Sequence, residues 1–485
     1  MIDFSHLEKY RENNRIEAKK ALGGLPRSLW ETYSAFANTL GGIIMLGVEE
    51  YKDKTLHTVD LPDPEKLVKE FWDIVNNPNK VSVNILSTKD VTIEVVEGNH
   101  IIVITVPRAE RAYKPVYVDG NPLNTYRRNG EGDYKCTKEE YQAMVRDASV
   151  KTQDMLVIEN MDMSVFNKDS IRAYRQRMNV SRPGHVWEQL ETEEFLWKIG
   201  AVALGEDGKK HPTSAGLLMF GNEYDIVREY PLYFLDYREE YDDTHRWTDR
   251  VVSSSGDWSG NVLDFFFRVY NKIQLDLKVP FEMEGAFRVD DTPVHKAVRE
   301  ALANCIVNAD YYGRGGLVVI KRRDRIEFSN PGDFRIEVAT AKSGGFSDPR
   351  NSVMMKMLNL IDIGERAGSG IPSILYTWKK QGWAEPIINQ FFNPNRIVLS
   401  LPLTKSDDKK VTIKSDDKKD TIKSAAQKAM IIEYLTDHVD GSVAELSELL
   451  GVKSSRVKKL IYELIAEEII IPIGGNRNRK YRLKA

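Results

Sequence analysis

Residues 296–332, KAVREALANCIVNADYYGRGGLVVIKRRDRIEFSNPG, concentrate side chains that can do chemistry. At about 100° per residue, Val298, Leu302, Cys305, Ile306 and Ala309 share one face of a helix, and Glu300, Asn304, Asn308 and Tyr311 share the other. A carboxylate, two amides and a phenol on an apolar-backed helix can present a site. The spacing next predicts a hairpin, 316–321 and 325–329, around a charged turn. It ends in Asn330-Pro331-Gly332, turn chemistry that brings backbone close to whatever sits there. Further on, 364–371 reads GERAGSGI; small residues at 367–370 let backbone N–H groups approach an anion. A helix beginning near Ile371 adds its positive end.

E-A-L-A-N, the strand pair and N-P-G resemble the ATP-binding domain of the GHKL class (gyrase, histidine kinases, MutL). The nearest branch is the one labelled RecG-like C-terminal in bacterial regulators. The resemblance implies Glu300 as the water-activating base and Asn304 as the Mg²⁺ ligand. It places Asn308, Asn330, Gly332, Gly368, Ser369 and Gly370 around ATP. S-D-P-R-N at 347–351 extends it over about 290–403. The branch usually carries His-Arg-Asp-Tyr where this chain has Asn308-Ala309-Asp310-Tyr311, which bears on hydrolysis. There is no G-x-x-x-x-G-K-[ST], which argues against a P-loop motor.

The N-terminal part reads as a small α+β domain over 1–150. A helix is expected at 29–40, ended by Gly41-Gly42, with strands at 43–48, 81–87, 91–96 and 100–106. E-x-x-x-x-E-x-K followed by A-F-A-N-T-x-G-G-x-x-x-x-G-V-E-E resembles the Schlafen/AlbA_2 domain over about 10–145. Members bind nucleic acid, and in animal Schlafens three acids support metal-dependent RNA cleavage. Matched by position these are Glu12, Glu17 and Glu50, with Glu49 the alternative to the last. Clustered carboxylates hold Mg²⁺ or Mn²⁺, which stabilises the attacking and leaving oxygens of a phosphodiester. The third acid is Glu where the nucleolytic relatives carry Asp. Arg15, Lys19, Lys20, Arg127 and Arg128 are the cations offered to phosphates, giving salt-sensitive, weakly specific binding.

Composition bounds the rest. At 485 residues and a net charge of −3, nucleic-acid binding must come from local basic faces. Cys136 and Cys305 make neither a disulfide framework nor a zinc site. The charged N-terminus and the lack of a long apolar run make a cytoplasmic protein the expectation, away from the membrane. Residues 151–290 read as a connecting α/β region, joining two sites or building a homo-oligomer contact. It has helices at 169–178, 191–202 and 261–273 and strands at 215–220 and 230–237. Residues 291–403 are the ATP-binding α/β sandwich. Residues 404–424, with SDDKK twice, are a flexible linker.

Residues 425–485 have a winged helix-turn-helix layout: helices at 428–435, 443–450 and 454–467, then a hairpin from 469–473 and 480–483. Ser455, Arg456 and Lys459 on the third helix would enter a major groove, with Arg477 and Arg479 on the wing. The whole chain thus reads as a multidomain α/β and α+β protein, an ATP-responsive DNA-binding regulator. The alternative is a Schlafen-like metal-dependent endonuclease.

Overall fold

The computed structural model describes residues 4–241, 246–277, 282–284, 287–289, 291–364, 368–392 and 394–405, and parts of 431–483. It divides into two compact units, 1–404 and 405–485.

The first sheet is built around a parallel crossover. Strand β1 (Ile16–Lys19) leads through helix α1 (Ser28–Asn38) to β2 (Gly42–Leu46). Two parallel strands need such a helical return. A short hairpin, β3 (Val48–Glu50) and β4 (Leu56–Thr58), and helix α2 (Pro64–Val75) follow, then β5 (Val91–Val96) and β6 (Asn99–Val106). The sheet order is β1-β2-β6-β5. Along β6, Ile102 and Ile104 face α1 and α2, while Ile101 and Val103 pack with Leu7, Met45 and Val48 on the other side. Residues 81–87 form no strand: Val81 bridges Val118, and the Tyr33 hydroxyl binds Val83 O and Ile85 N. The hairpin β7 (Tyr126–Asn129) and β8 (Gly132–Lys135) leads into α3 (Lys138–Ala148), capped by Thr137 and Glu140.

Next come α4 (Lys168–Ser181), α5 (Thr192–Ile199), the hairpin β9 (Val202–Leu204) and β10 (Lys210–Pro212), α6 (Ser214–Phe220) and α7 (Glu223–Glu229). They are followed by β11 (Leu235–Glu239), β12 (Asp249–Val252) and α8 (Val262–Asp276). The expected strand at 215–220 is therefore a helix. All seven residues of α6 are buried, so the sequence carries no period to tell the two apart. Thr213 caps it through Gly216 N, and Gly216 lies so close to Ala201 that a Cβ would sit 2.0 Å from its carbonyl oxygen.

A small hairpin, β13 (Glu282–Glu284) and β14 (Phe287–Val289), precedes α9 (Pro293–Val307). The expected hairpin is β15 (Leu317–Lys321) and β16 (Arg325–Pro331). Then come α10 (Val338–Ser343), α11 (Ser352–Asn359), α12 (Gly370–Lys380), β17 (Ile387–Phe392) and β18 (Asn395–Pro402). The six-stranded sheet runs β12-β11-β15-β16-β18-β17, with β11 parallel to β15. One continuous core reaches from Ile158 to Leu401. The boundary expected at 290/291 thus falls inside a single folded body: two strands of the connecting region complete the sheet of the next.

In the second unit, β19 (Gly441–Ser442), α13 (Val443–Leu450), α14 (Ser454–Ala466), β20 (Ile470–Ile473) and β21 (Lys480–Leu483) surround Leu446, Val457, Leu460, Leu464 and Tyr481. Its sheet order is β19-β21-β20. Residues 431–432 and 434–435 are helical, as expected. The linker 406–424, Arg477 and Arg479, and the side chains of Ser455, Arg456 and Lys459 lie outside the described residues.

Candidate functional site

Helix α9 begins with Pro293 in its first turn, where a missing N–H costs nothing. Val298, Leu302 and Ile306 are fully buried, which turns Glu300, Asn304 and Asn308 toward a cavity of about 120 Å³. Asn304 Nδ2 donates to Glu300 Oε1 at 3.0 Å, and Asn308 Nδ2 donates to Asn304 O at 3.0 Å. Tyr311, expected on this polar face, is corrected to the core. The helix ends at Val307, the ring stacks on Tyr233, and the hydroxyl donates to Ile306 O.

The other walls arrive from later in the chain. Asn330 lines the cavity from the end of β16, its amide donating to Asn308 O at 3.3 Å. Gly368 and Gly370 line it from the start of α12. Gly368 has φ +66°, and a Cβ there would fall 2.6 Å from Phe346 backbone. A Cβ on Gly370 would lie 2.1 Å from Glu300 Oε1 and 3.0 Å from Asn304 Nδ2. Only glycine lets backbone approach that carboxylate so closely. Phe328, Ile388, Ile397 and Leu399 supply an apolar floor. The cavity therefore joins the three separated stretches read in the sequence.

Two of the expected residues stand elsewhere. Gly332, at φ +103°, packs against Arg350, and Ser369 is the N-cap residue of α12; neither lines this cavity. The S-D-P-R-N stretch divides its work. Ser347, Asp348 and Pro349 line the cavity, while Asn351 closes the end of α9 by donating to Val307 O and Ala309 O. Arg350, 3% exposed, grips Asp147 of α3 in bidentate fashion at 2.7 and 2.8 Å and also binds Asn308 O.

Sequence reasoning missed the wall formed by 333–336. Asp333 lines the cavity and pairs with Arg127, and Arg108 donates to Phe334 O. Burial would raise the Asp333 carboxyl, but Arg127, Lys114 and Arg108 outweigh it and hold it below its ordinary range. Desolvation brings Arg335, the cation in the cavity wall, down to about 10 despite Asp348 beside it. Burial pushes the Cys305 thiol up to about 12, so it lines the cavity as an inert protonated group. Asp333 follows N-P-G directly, the one local signal that could have drawn attention to it.

Glu300 and Asn304 set a carboxylate beside an amide, with Asn304 Nδ2 turned to the carboxylate. These are the donor types that would hold Mg²⁺ with a phosphorylated ligand, the remaining oxygens coming from phosphate and water. Among the described residues no group of three or more His, Cys, Asp or Glu side chains is arranged to hold a metal by itself.

A second set of acids lies near the start of the chain: Glu12 ahead of β1, Glu17 on β1 and Glu50 on β3. Desolvation raises the Glu12 carboxyl, helped by the nearby charges of Glu17 and Glu50. Glu50 is the candidate whose charge reaches Glu12, whereas Glu49 turns to pair with exposed Lys20. Glu12 accepts from Ala18 N at 3.0 Å, and Glu50 pairs with Lys54 while its Oε1 is buried without a hydrogen-bond partner. Of the expected phosphate-binding cations, Arg15 is exposed and Lys20 is exposed beside Glu49. Lys19 is turned to Glu17 and Ser28. Arg127 and Arg128 are corrected: at 5% and 2% exposed, both guanidinium groups are buried among carboxylates and carbonyls.

Three stretches of the chain match family models. Residues 12–137 match Schlafen, AlbA_2; residues 318–399 match Putative ATP-dependent DNA helicase recG C-terminal; residues 142–236 match a domain of unknown function (DUF8451). The chain thus resembles two named domains over part of its length, which together indicate a nucleic-acid-related, ATP-linked function. The helix bearing Glu300 and Asn304 precedes the second of these matches.

Among solved structures, the DIP2311 protein from Corynebacterium diphtheriae is 16% identical. That match covers 97% of this chain and 95% of the other, with a TM-score of 0.40. The N-terminal domain of a putative ATP-dependent DNA helicase RecG-related protein from Nitrosomonas europaea is 30% identical. It covers 28% of this chain and 95% of the other, with a TM-score of 0.23. No curated protein matches. Among the described residues no helix is long and apolar enough to cross a membrane.

Proposed function

We propose that this protein is a nucleic-acid-binding regulator whose state is set by an adenine nucleotide. The supporting observation is the convergence of Glu300, Asn304, Asn330, Gly368 and Gly370 on one apolar-floored cavity. In this reading Glu300 and Asn304 would hold ATP–Mg²⁺, and the apolar floor of Phe328, Ile388, Ile397 and Leu399 would receive its base. The AlbA_2 domain and the winged-helix-type tail contact DNA. A ligand moves such a protein only by binding one conformation better than another. The test is thermal unfolding with Mg²⁺–ATP. At a concentration about one hundred times Kd, binding stabilises the fold by about 2.7 kcal/mol. Glu300→Ala with Asn304→Ala should remove that gain. A parent protein that melts identically with and without nucleotide would sink the proposal.

A second reading, a metal-dependent nuclease, draws on the crowding of Glu12, Glu17 and Glu50 and on the orphaned Glu50 Oε1. Labelled single-stranded RNA, tRNA and DNA incubated with Mn²⁺ would decide it, with Glu50→Gln as control. Cleavage that the control lacks would rank this reading first.

A further inference from the structure

Arg127 and Arg128 are consecutive on β7, so their side chains leave the strand on opposite faces. Arg128 enters the acid cluster. Its Nη2 lies 2.8 Å from Glu17 Oε2 and donates to Asn13 O at 2.8 Å, and its Nη1 lies 3.0 Å from Asp133 Oδ1. Arg127 goes the other way, to the wall of the nucleotide-type cavity. Its Nη2 pairs with Asp333, and its Nη1 donates to Asn395 Oδ1 at 2.6 Å. Asp333 lines that cavity, and its Oδ1 is a buried oxygen with no hydrogen-bond partner.

These contacts are stiff for a physical reason. Separating a buried guanidinium from its carboxylate leaves two desolvated charges uncompensated, so the partners move together. The same wall is held at two more points, one by Arg108 of the N-terminal domain and one by Arg350, which also grips Asp147 of that domain. Arg108 donates to Phe334 O, and Arg350 binds both Asp333 O at 3.0 Å and Asp147. A ligand that displaces 333–336 must drag Arg127, and Arg127 shares a backbone with the residue that fixes Glu17.

We infer that the Arg127–Arg128 pair couples the two sites: a nucleotide in the cavity changes the affinity of the acid-cluster domain for nucleic acid, with Arg127 as a positioning residue. The inference rests on the nucleotide reading above. It has a reciprocal consequence, because coupling between two binding sites acts equally in both directions.

The test uses the full chain, Mg²⁺–ATP and fluorescein-labelled single-stranded RNA and duplex DNA, read by anisotropy. In the parent, Mg²⁺–ATP should change the Kd for at least one nucleic acid by about fivefold or more. That nucleic acid should change the Kd for ATP by the same factor. Arg127→Lys keeps the charge but loses the fork, and Arg127→Gln removes the charge; in both, the ratio should fall toward one while ATP still shifts the melting temperature. Asn395→Ala trims one anchor and leaves every charge in place, and it stands in if the other variants do not fold. A parent that binds both ligands with a ratio of one overturns the coupling, as does an Arg127→Lys protein that melts like the parent and keeps the full ratio. A parent that shows no thermal response to ATP overturns the nucleotide reading, and the coupling with it.

Discussion

Gly370 makes the closest approach to the Glu300 carboxylate in the cavity. A methyl group there would lie 2.1 Å from Glu300 Oε1, so Gly370→Ala must push the carboxylate away from Asn304 or shift the start of α12. The atoms it would meet are the ends of the Glu300 and Asn304 side chains, which can swing aside, so we expect a small change in stability and no remaining ATP-dependent thermal shift. Differential scanning fluorimetry with and without Mg²⁺–ATP measures both. Glu12 makes a different kind of prediction. Its folded-state pKa is raised by desolvation and by Glu17 and Glu50, so over the interval between the unfolded and folded values the folded state holds more protons. Stability therefore falls as pH rises through that interval, and the ionised carboxylate weakens the fold at neutral pH. Glu12→Gln keeps an acceptor for Ala18 N–H and should melt higher at pH 7 than the parent, with a flatter dependence on pH. A lower melting temperature at pH 7 would contradict this account.

At the scale of elements, β7 is the strand on which the N-terminal domain depends. Arg128 stacks over Phe36 of α1 and neutralises Glu17 and Asp133 from a buried position. Arg128→Met should cost about 3–5 kcal/mol, because it leaves carboxylates buried without their partner. Urea unfolding of the variant checks this, and a change below about 1 kcal/mol would mean that the pair is better solvated than the structure shows.

The same region shows what could be read beforehand. Helix α1, the ends of β5 and β6, and the β15–β16 hairpin follow from periodicity and turn residues, and they appear within a residue or two of expectation. The A-F-A-N-T stretch was legible as a motif but not as a role. Asn38 makes bonds to Val116 O, Val116 N and Tyr126 O, so it stitches α1 to the segment at Val116 and to β7. Arginine types alone pointed Arg127 and Arg128 toward phosphate. Beyond Asp133 across the hairpin, their partners come from 13, 17, 333 and 395, and no local pattern announces contacts that distant. The cavity was more legible because its residues sit at fixed spacings on one helix and in glycine turns. Its Asp333 wall was not, since that wall is defined by what the N-terminal domain holds in place.

At the scale of the molecule, each unit has its own core. Residues 1–404 bury the large cluster running from Ile158 to Leu401 and the N-terminal clusters, while the second unit is organised around Leu446, Leu460 and Tyr481. Expressed alone, residues 1–404 should fold cooperatively and retain the Mg²⁺–ATP response of the full chain. Calorimetry of the truncated protein tests this, and a broad or absent transition would show that the tail is needed for the fold.

The parallel pairing of β11 with β15 has a practical meaning for anyone who trims this gene product. A fragment begun at residue 318, where the RecG-type match starts, would be cut off from Leu235–Glu239 and from α9. The flank of Leu317–Lys321 would lose its hydrogen-bonded neighbour, and an exposed apolar edge of that kind pairs with other chains. Such a fragment would come out of solution as aggregate, and its silence toward ATP would say nothing about the intact protein. A useful minimal piece has to begin ahead of β11, inside what sequence models treat as a neighbouring, uncharacterised domain.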